Sequence, residues 1–487
     1  MGNSSSLNTT VTSRDHVPPP FPKAKGQSLS YWLQGVRANP LLDHMTTEDV
    51  PKEAEVVIIG SGMTGALTAF TLLSSSNPPS SIVMFEAREL CSGATGRNAG
   101  HCKPDQWRGY SKYKSMVGKE QALKILANEQ ETFEKLVSYV KEEGIDCDLW
   151  VGQTLDVAMT EEIATRCAEN YTQLEADGGN VSKVEWIKDR DEARKRSRVP
   201  NAVSVFSWEA GSFYPWKVVA HMIKKCLAYG NDKFNLQTWT TVKSVTKSTP
   251  DSAKEGNEEK WIVETDRGST IAKTVVFASN AYTAALLPEF TGVVVPHPHM
   301  CTKLIPPPAF SGSKALQNTY GVLVPNNALF SINPRSSTDG IVLFGGSNPG
   351  QGELIKWVKE HPEDRVNDGL SGFKPVSDAV REWVGKEWKE SGLDLNAGPG
   401  QGVDYQWSGI IGFTSDGLPL IGPIPNKSGL WMCAGHNGHG MARIFTAAPG
   451  LVHLMQGGTW EETNLPECFE LTEERLERMR GMEVVED

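Results

Sequence analysis

From Val56 the chain reads VVIIGSGMTG, four branched apolar residues running without interruption into a glycine-rich turn. An unbroken apolar run predicts a strand buried on both faces, as in a parallel sheet covered by helices. The runs IVMF before Glu86, Thr274–Ala278 (TVVFA) and Leu430–Ala434 predict three more. A stripe of Ala122, Ile125, Leu126, Phe133, Leu136, Val137 and Val140 has helical spacing and predicts a helix over Gly118–Glu143. Helices are also expected at Glu161–Ala176, after the strand TLDVAMT, at Pro215–Tyr229, at Ser377–Glu390 and from near Ile444. Leu236–Lys247 and Lys260–Thr265 read as strands on either side of an exposed hairpin loop, PDSAKEGNEEK. Between Val293 and Gly346, strands at Tyr320–Pro325, Leu329–Asn333 and Gly340–Phe344 alternate with prolines, which suits an antiparallel sheet. Ser28–Leu42 reads as an aromatic-rich arm packed on the body.

The first turn carries the sharpest chemistry. Gly60, Gly62 and Gly65 follow a strand and open a helix, and Glu86 closes the next strand about twenty residues later, as a dinucleotide site requires. Gly60 permits the tight turn, Gly62 lets the backbone approach a pyrophosphate, and Gly65 lets the helix pack close, its N-terminal amides facing the phosphates. Glu86 would accept hydrogen bonds from a ribose diol. Directly after it, CSGATGRNAGHCK (Cys91–Lys103) is long and built of small residues, so its backbone can lie against a flat ligand. A second glycine-rich strand-to-helix junction, Gly435–Met441 (GHNGHGM), follows TSDGLPLIG and can again face negative charge.

Composition narrows the class. A chain of 487 residues with 39% hydrophobic and 22% charged residues predicts a globular protein of two joined domains. No apolar run approaches the roughly eighteen residues of a membrane span, and the N-terminal residues do not form a secretion signal. The eight cysteines show neither C-x-x-C nor metal-ligand spacing, which suits a reducing cytoplasmic setting and argues against a metal site. A net charge of -11 argues against nucleic acid as a partner. Met1–Ser6 fits the N-myristoylation pattern, so weak peripheral membrane attachment through Gly2 stands beside the reading of residues 1–27 as a disordered tail.

Taken in order, VVIIGSGMTG, MFEA, SGATGRNAGH, VVFASNAYT, GIVLFGG, TSDGLPLIG and GHNGHGM resemble the D-amino-acid-oxidase-like superfamily of FAD enzymes, nearest to its gamma-glutamylputrescine oxidase and glycine oxidase-like group. The likeness spans roughly Ala54–Gln456. It implies an α/β, Rossmann-type FAD-binding domain of the glutathione-reductase kind, with an interleaved α+β substrate domain built on an antiparallel sheet. It implies FAD with its pyrophosphate on Gly60, Ser61, Gly62, Met63, Thr64 and Gly65, its adenosine ribose at Glu86, Ala87 and Arg88, and its adenine near Val242. Ser92, Gly93, Ala94 and Thr95 would continue the cradle, and Arg97, Asn98, Ala99, Gly100 and His101 would lie along the isoalloxazine. Ala278 and Asn280 would line the same cleft. Gly438, His439, Gly440 and Met441 would face the pyrimidine edge, where reduced flavin becomes anionic.

Relatives of this kind oxidise a carbon next to nitrogen by hydride transfer to flavin N5, and the oxidases among them pass the electrons to oxygen. His101 and His439 are candidates for proton handling or oxyanion-type stabilisation, with a histidine merely bonded to backbone as the plain alternative. Arg335 is a candidate clamp for a substrate carboxylate, against a surface arginine. Tyr405 and Trp407 are candidate walls of the substrate pocket, against core aromatics. Arg97 stands where dimethylglycine-dehydrogenase-like relatives bond flavin through histidine, and about Gly409 where sarcosine oxidases use cysteine, so FAD is expected to be non-covalent. Leu343 falls near the lysine that sarcosine oxidases devote to oxygen, which leaves oxidase against dehydrogenase open.

The domain reading assigns 28–54 to the arm, 55–110, 215–295 and 400–460 to the FAD domain, 111–214 and 296–399 to the substrate domain, and 461–487 to a C-terminal tail or helix. The expected activity is oxidation of an amine or amino-acid-like C–N bond, with oxygen as acceptor. Two rivals are a tailoring oxidase for a larger metabolite and a flavin-bearing protein that only binds.

Overall fold

The computed structural model describes residues 17–248, 259–388 and 402–482. Gly2 and its acylation pattern, and most of the hairpin loop PDSAKEGNEEK, lie outside the described residues. Two sheets organise the rest. The first is eight-stranded, and its main path runs Leu420–Pro423, Leu430–Ala434, Gly268–Phe277, Glu53–Ile59, Ile82–Phe85, Phe234–Gln237. Glu53–Ile59 lies at its heart, parallel to Gly268–Phe277 on one side and Ile82–Phe85 on the other. Val57 and Ile58 are fully buried, which explains why the strand is apolar without alternation over Val56–Ile59, after the exposed Glu53 and half-buried Glu55 at its start. Helix Met63–Ser74 packs over one face together with Ile444–Met455 and Pro215–Leu227.

The second sheet has nine strands, with Gly402–Thr414, Val294–Ile305, Val342–Gly345, Ala328–Pro334, Thr319–Val324, Trp150–Ala158, Ser204–Ser212 and His101–Cys102 in spatial order. It is antiparallel except where Thr319–Val324 runs parallel to Trp150–Ala158. Gly402–Thr414, which the sequence reading groups with the FAD domain, pairs along its length with Val294–Ile305 in this second sheet. The chain passes between the two sheets several times, so neither sheet comes from one continuous stretch.

Most expected elements lie where the apolar pattern puts them, and the differences have local causes. Helix Glu161–Ala176 starts after Thr160, whose side chain accepts from the Ile163 amide. The helix expected from Gly118 begins at Tyr110 and is interrupted at Gly118, where φ is 82°. Leu236–Lys247 is two strands, Phe234–Gln237 and Val242–Lys247, parted by a turn in which Trp239 takes a φ of 51°. In the arm, Trp32 and Leu33 are completely buried, and Trp32 Nε1 donates to the Asn98 carbonyl at 2.5 Å. Residues 17–27 form no helix or strand, yet Phe21 and Pro22 reach the cavity described below and Lys243 Nζ sits 5.2 Å over the Phe21 ring. That packing replaces the free tail expected for this part. No helix among the described residues is long and apolar enough to cross a membrane.

Candidate active site

One cavity of about 470 Å³ lies between the C-terminal ends of the first sheet and the face of the second. At one end is the turn Gly60–Thr64, in the crevice beyond the strand ends where α/β sheets bind ligands. Gly60 adopts a φ of 108°, with the Ala278 carbonyl oxygen 2.7 Å from where a Cβ would project. Gly65 lies behind the turn, outside the cavity lining, and a Cβ there would collide with the Gly60 carbonyl oxygen. Gly62 is open, since a Cβ on it would meet only Thr95. Glu86 lines the cavity and holds the turn, its Oε2 accepting from the Ser61 amide at 3.1 Å and the Ser61 hydroxyl at 2.6 Å. Its other oxygen accepts from the Arg88 amide.

Ala87, Arg88, Gly93, Ala94, Thr95, Arg97, Asn98, Ala99 and His101 line the cavity next, joined by Val242, Ala278 and Asn280. Ser92 and Gly100 do not line it. The Ser92 carbonyl instead accepts from Arg97 Nε at 2.7 Å, and Gly100 fits against the Trp32 ring. The Arg97 guanidinium turns to the carbonyls of Ser28 and Ser408, which fixes the loop. A Cβ on Gly409 would stand 2.9 Å from Arg97 Cβ, so these two positions face each other, and neither is histidine or cysteine. Cys301 lines the same cavity, and burial pushes its thiol up to about 12, away from the reactive thiolate.

Gly438, His439, Gly440 and Met441 close the far edge. Behind them Glu129, fully buried on helix Tyr110–Glu142, accepts from Arg443 Nε at 3.1 Å and from the Asp105 amide at 2.8 Å. His439 Nδ1 lies 3.6 Å from the same carboxylate. Although burial opposes it, the contact with His439 and the Arg443 guanidinium hold Glu129 below its usual carboxylate range. His436 is buried beside Thr64, and burial with Arg443 nearby lowers it to about 3, so its imidazole is neutral. His101 is neutral for a related reason: burial, then Lys103 and Arg108, lower it to about 3. Its two ring nitrogens rest against Ser331 Oγ (3.2 Å) and Thr319 Oγ1 (2.8 Å).

Arg335, Tyr405 and Trp407 are not brought to the cavity. Arg335 is buried against Asp148, Nη2 to Oδ2 2.8 Å, with Trp32 and Tyr31 under its guanidinium. The fork expected for a substrate is thus taken by an internal carboxylate. Tyr405 stacks on Trp407, whose indole donates to the Arg97 carbonyl at 2.7 Å, so both support the loop Arg97–His101 from behind. Lys103, Arg108, Asp156 and Trp208, none of them singled out in the sequence, form the polar end of the cavity beyond His101. The one signal was Asp156, a lone carboxylate inside the apolar strand TLDVAMT.

The arrangement is a cleft with the glycine turn Gly60–Thr64 at one end, a backbone-lined middle and a polar chamber at the other. Over residues 55–453 the sequence matches the family described as FAD dependent oxidoreductase. The chain belongs to that family. Its members use FAD, and the open Gly62, the ordered Glu86 and the small-residue loop fit that cofactor. A probable oxidoreductase of Haemophilus influenzae, OrdL, is 22% identical over 399 residues, 80% of each chain. Glycine oxidase from Geobacillus kaustophilus superposes with a TM-score of 0.63 at 20% identity, over 87% of this chain and 99% of that one. L-amino acid deaminase from Proteus myxofaciens does so with a TM-score of 0.64 at 16% identity, over 93% and 99%. Membership of this FAD-dependent family makes the chain an oxidoreductase, of the mixed α/β fold that these structures share.

Proposed function

We propose that this enzyme oxidises the C–N bond of an amine or amino-acid-like small molecule, with FAD held non-covalently and oxygen as the acceptor. The observation that carries the reading is the continuity of the cavity from the Gly60–Thr64 turn, past Arg97–His101, to the polar chamber at Lys103 and Asp156. Bound FAD supplies the two-electron acceptor for the hydride leaving the carbon next to nitrogen. The substrate also loses the nitrogen proton, becoming an imine that water hydrolyses, and oxygen takes two electrons and two protons to become hydrogen peroxide.

The chain's own residues orient and tune. The loop Arg97–His101, anchored by Arg97 and Asn98, would give the ring a fixed floor. His101, neutral and held by two hydroxyls, lacks a free nitrogen for a general base and acts as a wall of fixed orientation. His439, backed by Glu129, offers its outward nitrogen to negative charge developing at the cavity edge.

The test is anaerobic mixing of the yellow protein with amines, amino acids and polyamines, followed by air. Bleaching and recovery of flavin absorbance, with one peroxide per turnover, is expected for small amines or amino acids. Bleaching without reoxidation by air would remove oxygen as acceptor, and failure to bleach with every small amine would remove the substrate class.

A further inference from the structure

The proline-rich stretch ahead of the arm is tied down at both ends by one loop. Residues 17–22 read VPPPFP, so four prolines flank Phe21. Proline fixes φ and offers no N–H, which keeps such a run extended, outside helix and sheet, with little conformational freedom left to lose. At its start the Val17 carbonyl accepts from Arg365 Nη2 at 2.6 Å. Further on, the Ser28 amide and hydroxyl both donate to the Asp368 carbonyl, at 2.8 and 2.7 Å. A Cβ on Gly369 would collide with the Gly26 carbonyl oxygen, so the segment lies hard against that loop. Extended, residues 17–28 would reach roughly 36 Å, far more than the short stretch from Arg365 to Asp368 can separate their ends, so the segment bows outward between them. Phe21 and Pro22 lie in the bow, and both line the cavity.

On the other side of the bow, Lys243 Nζ sits 5.2 Å over the Phe21 ring, so the segment bridges the loop 365–369 and strand Val242–Lys247. This is the Glu86 end of the cavity. The Thr240 amide donates to the Glu86 carbonyl at 2.8 Å and the Trp239 amide to the Arg88 carbonyl at 2.9 Å, which sets the cavity residue Val242 just beyond the acid. With a pyrophosphate on the glycine turn and a ribose on Glu86, the order of a dinucleotide leaves its base to lie beyond Glu86. Asp368 joins the bow to the cavity wall. Its carbonyl holds Ser28, while its carboxylate bonds Arg88 Nη1 at 2.6 Å and lies 3.6 Å from Arg97 Nε, both of them cavity residues. Phe21 itself is half-buried, so part of its ring is left for a flat partner.

We propose that Phe21, presented by the proline segment, stacks on the adenine of bound FAD and closes that end of the cavity. Cofactor binding and docking of residues 17–28 then support each other. The segment precedes residues 55–453, the stretch shared with the family, so the cover is supplied by this chain's own N-terminal arm. The inference rests on FAD as the cofactor and is independent of which substrate is oxidised.

The test titrates full-length apoprotein with FAD and with ADP, which carries the base, ribose and pyrophosphate without the flavin, and follows protein fluorescence and the heat of binding. Phe21→Ala should weaken both ligands by the same factor, roughly fivefold to a hundredfold, the range for losing one base–aromatic stack. Phe21→Tyr keeps the ring and should bind both as the parent does. Inorganic pyrophosphate has no base, so its competition with FAD should be the same in parent and Phe21→Ala. Parental FAD affinity in Phe21→Ala would overturn the proposal, as would a loss for FAD without one for ADP, which would put Phe21 at the flavin end. A parallel fall in pyrophosphate competition, or an equal loss in Phe21→Tyr, would make Phe21 a packing residue only and also overturn it. Reciprocity gives a second measurement on the unaltered protein. ADP alone should slow tryptic cleavage after Lys23 and Lys25, both exposed on the bow, and cleavage at equal rates with and without ADP would refute the coupling. A parent that binds no ADP at millimolar concentration would likewise refute a covered adenine pocket.

Discussion

Gly65 and Gly62 stand three residues apart and should fail in different ways when given a methyl group. At Gly65 the new Cβ would enter the van der Waals shell of the Gly60 carbonyl oxygen, with its carbon at 3.1 Å and Ile58 Cγ2 at 3.4 Å. The turn cannot recoil, because the Gly60 amide is bonded to the Phe85 carbonyl at 2.8 Å and the Ala278 carbonyl stands close on its other side. Gly65→Ala must therefore push the first turn of helix Met63–Ser74 off the sheet. Forced overpacking of this kind costs about 3 kcal/mol, the top of the usual range. At Gly62 the backbone is extended (φ -67°, ψ -176°), suited to any residue, and the Cβ would meet Thr95 Oγ1 at 3.2 Å, a side chain able to shift. Gly62→Ala should cost under about 1 kcal/mol, mostly from a poorer helix cap, yet place a methyl where the pyrophosphate must approach. Urea unfolding of the apoproteins and FAD titration by flavin fluorescence separate the two. Gly62→Ala should keep parental stability and lose FAD affinity at least tenfold, whereas Gly65→Ala should lose both. An apoprotein of Gly65→Ala as stable as the parent would refute the close-packing argument.

Four further outcomes are expected. Acid precipitation should release the flavin into the supernatant, and flavin left in the pellet would expose a covalent link. Arg335→Met should lower stability by about 1 kcal/mol, because Asp148 loses its buried partner but keeps Lys217 at 3.3 Å, while leaving the Michaelis constants of acidic and neutral substrates in their parental ratio; a selective rise for acidic substrates would return Arg335 to the site. His439→Ala should bind FAD but show a lower midpoint potential and anaerobic reduction slowed roughly tenfold to a thousandfold, and unchanged values would leave that work to the backbone. His436, lowered from 6.5 to about 3 by burial, takes a proton in the unfolded chain before it does in the folded one. Its contribution is whole above about pH 6.5 and lost as pH falls towards 3, so His436→Asn should flatten the acid side of the stability curve by about 1.4 kcal/mol per pH unit; an unchanged slope would refute its buried, neutral state.

What could be read in the sequence was what local sequence controls. The turn Gly60–Gly65, the loop Gly93–His101 and the junction Gly438–Met441 announce themselves because small residues at fixed spacing leave few conformations and few uses. Helix Glu161–Ala176 was legible to its ends because Thr160 caps it and acidic residues fill its first turn. The break at Trp239 was hidden because a bulky residue takes the left-handed turn that glycine or asparagine would have marked. Pairings between distant positions were out of reach. Asp148 claims Arg335, and Asp156 gathers Lys103 and Arg108, only after strands far apart in the chain have met. Arg335 looked available for a substrate because nothing near it in sequence shows its partner.

The alternation of the chain between two sheets bears on how the protein is born. The central strand Glu53–Ile59 is made some two hundred residues before its neighbour Gly268–Phe277, and Leu430–Ala434 completes that flank later still. Until Gly268–Phe277 arrives, the strand, wholly apolar over Val56–Ile59, has one unsatisfied edge, a state prone to aggregate. Synthesis rate and chaperone supply should therefore govern the yield of this enzyme more than its final stability does, and neither half of the chain, expressed alone, would contain a sheet able to close.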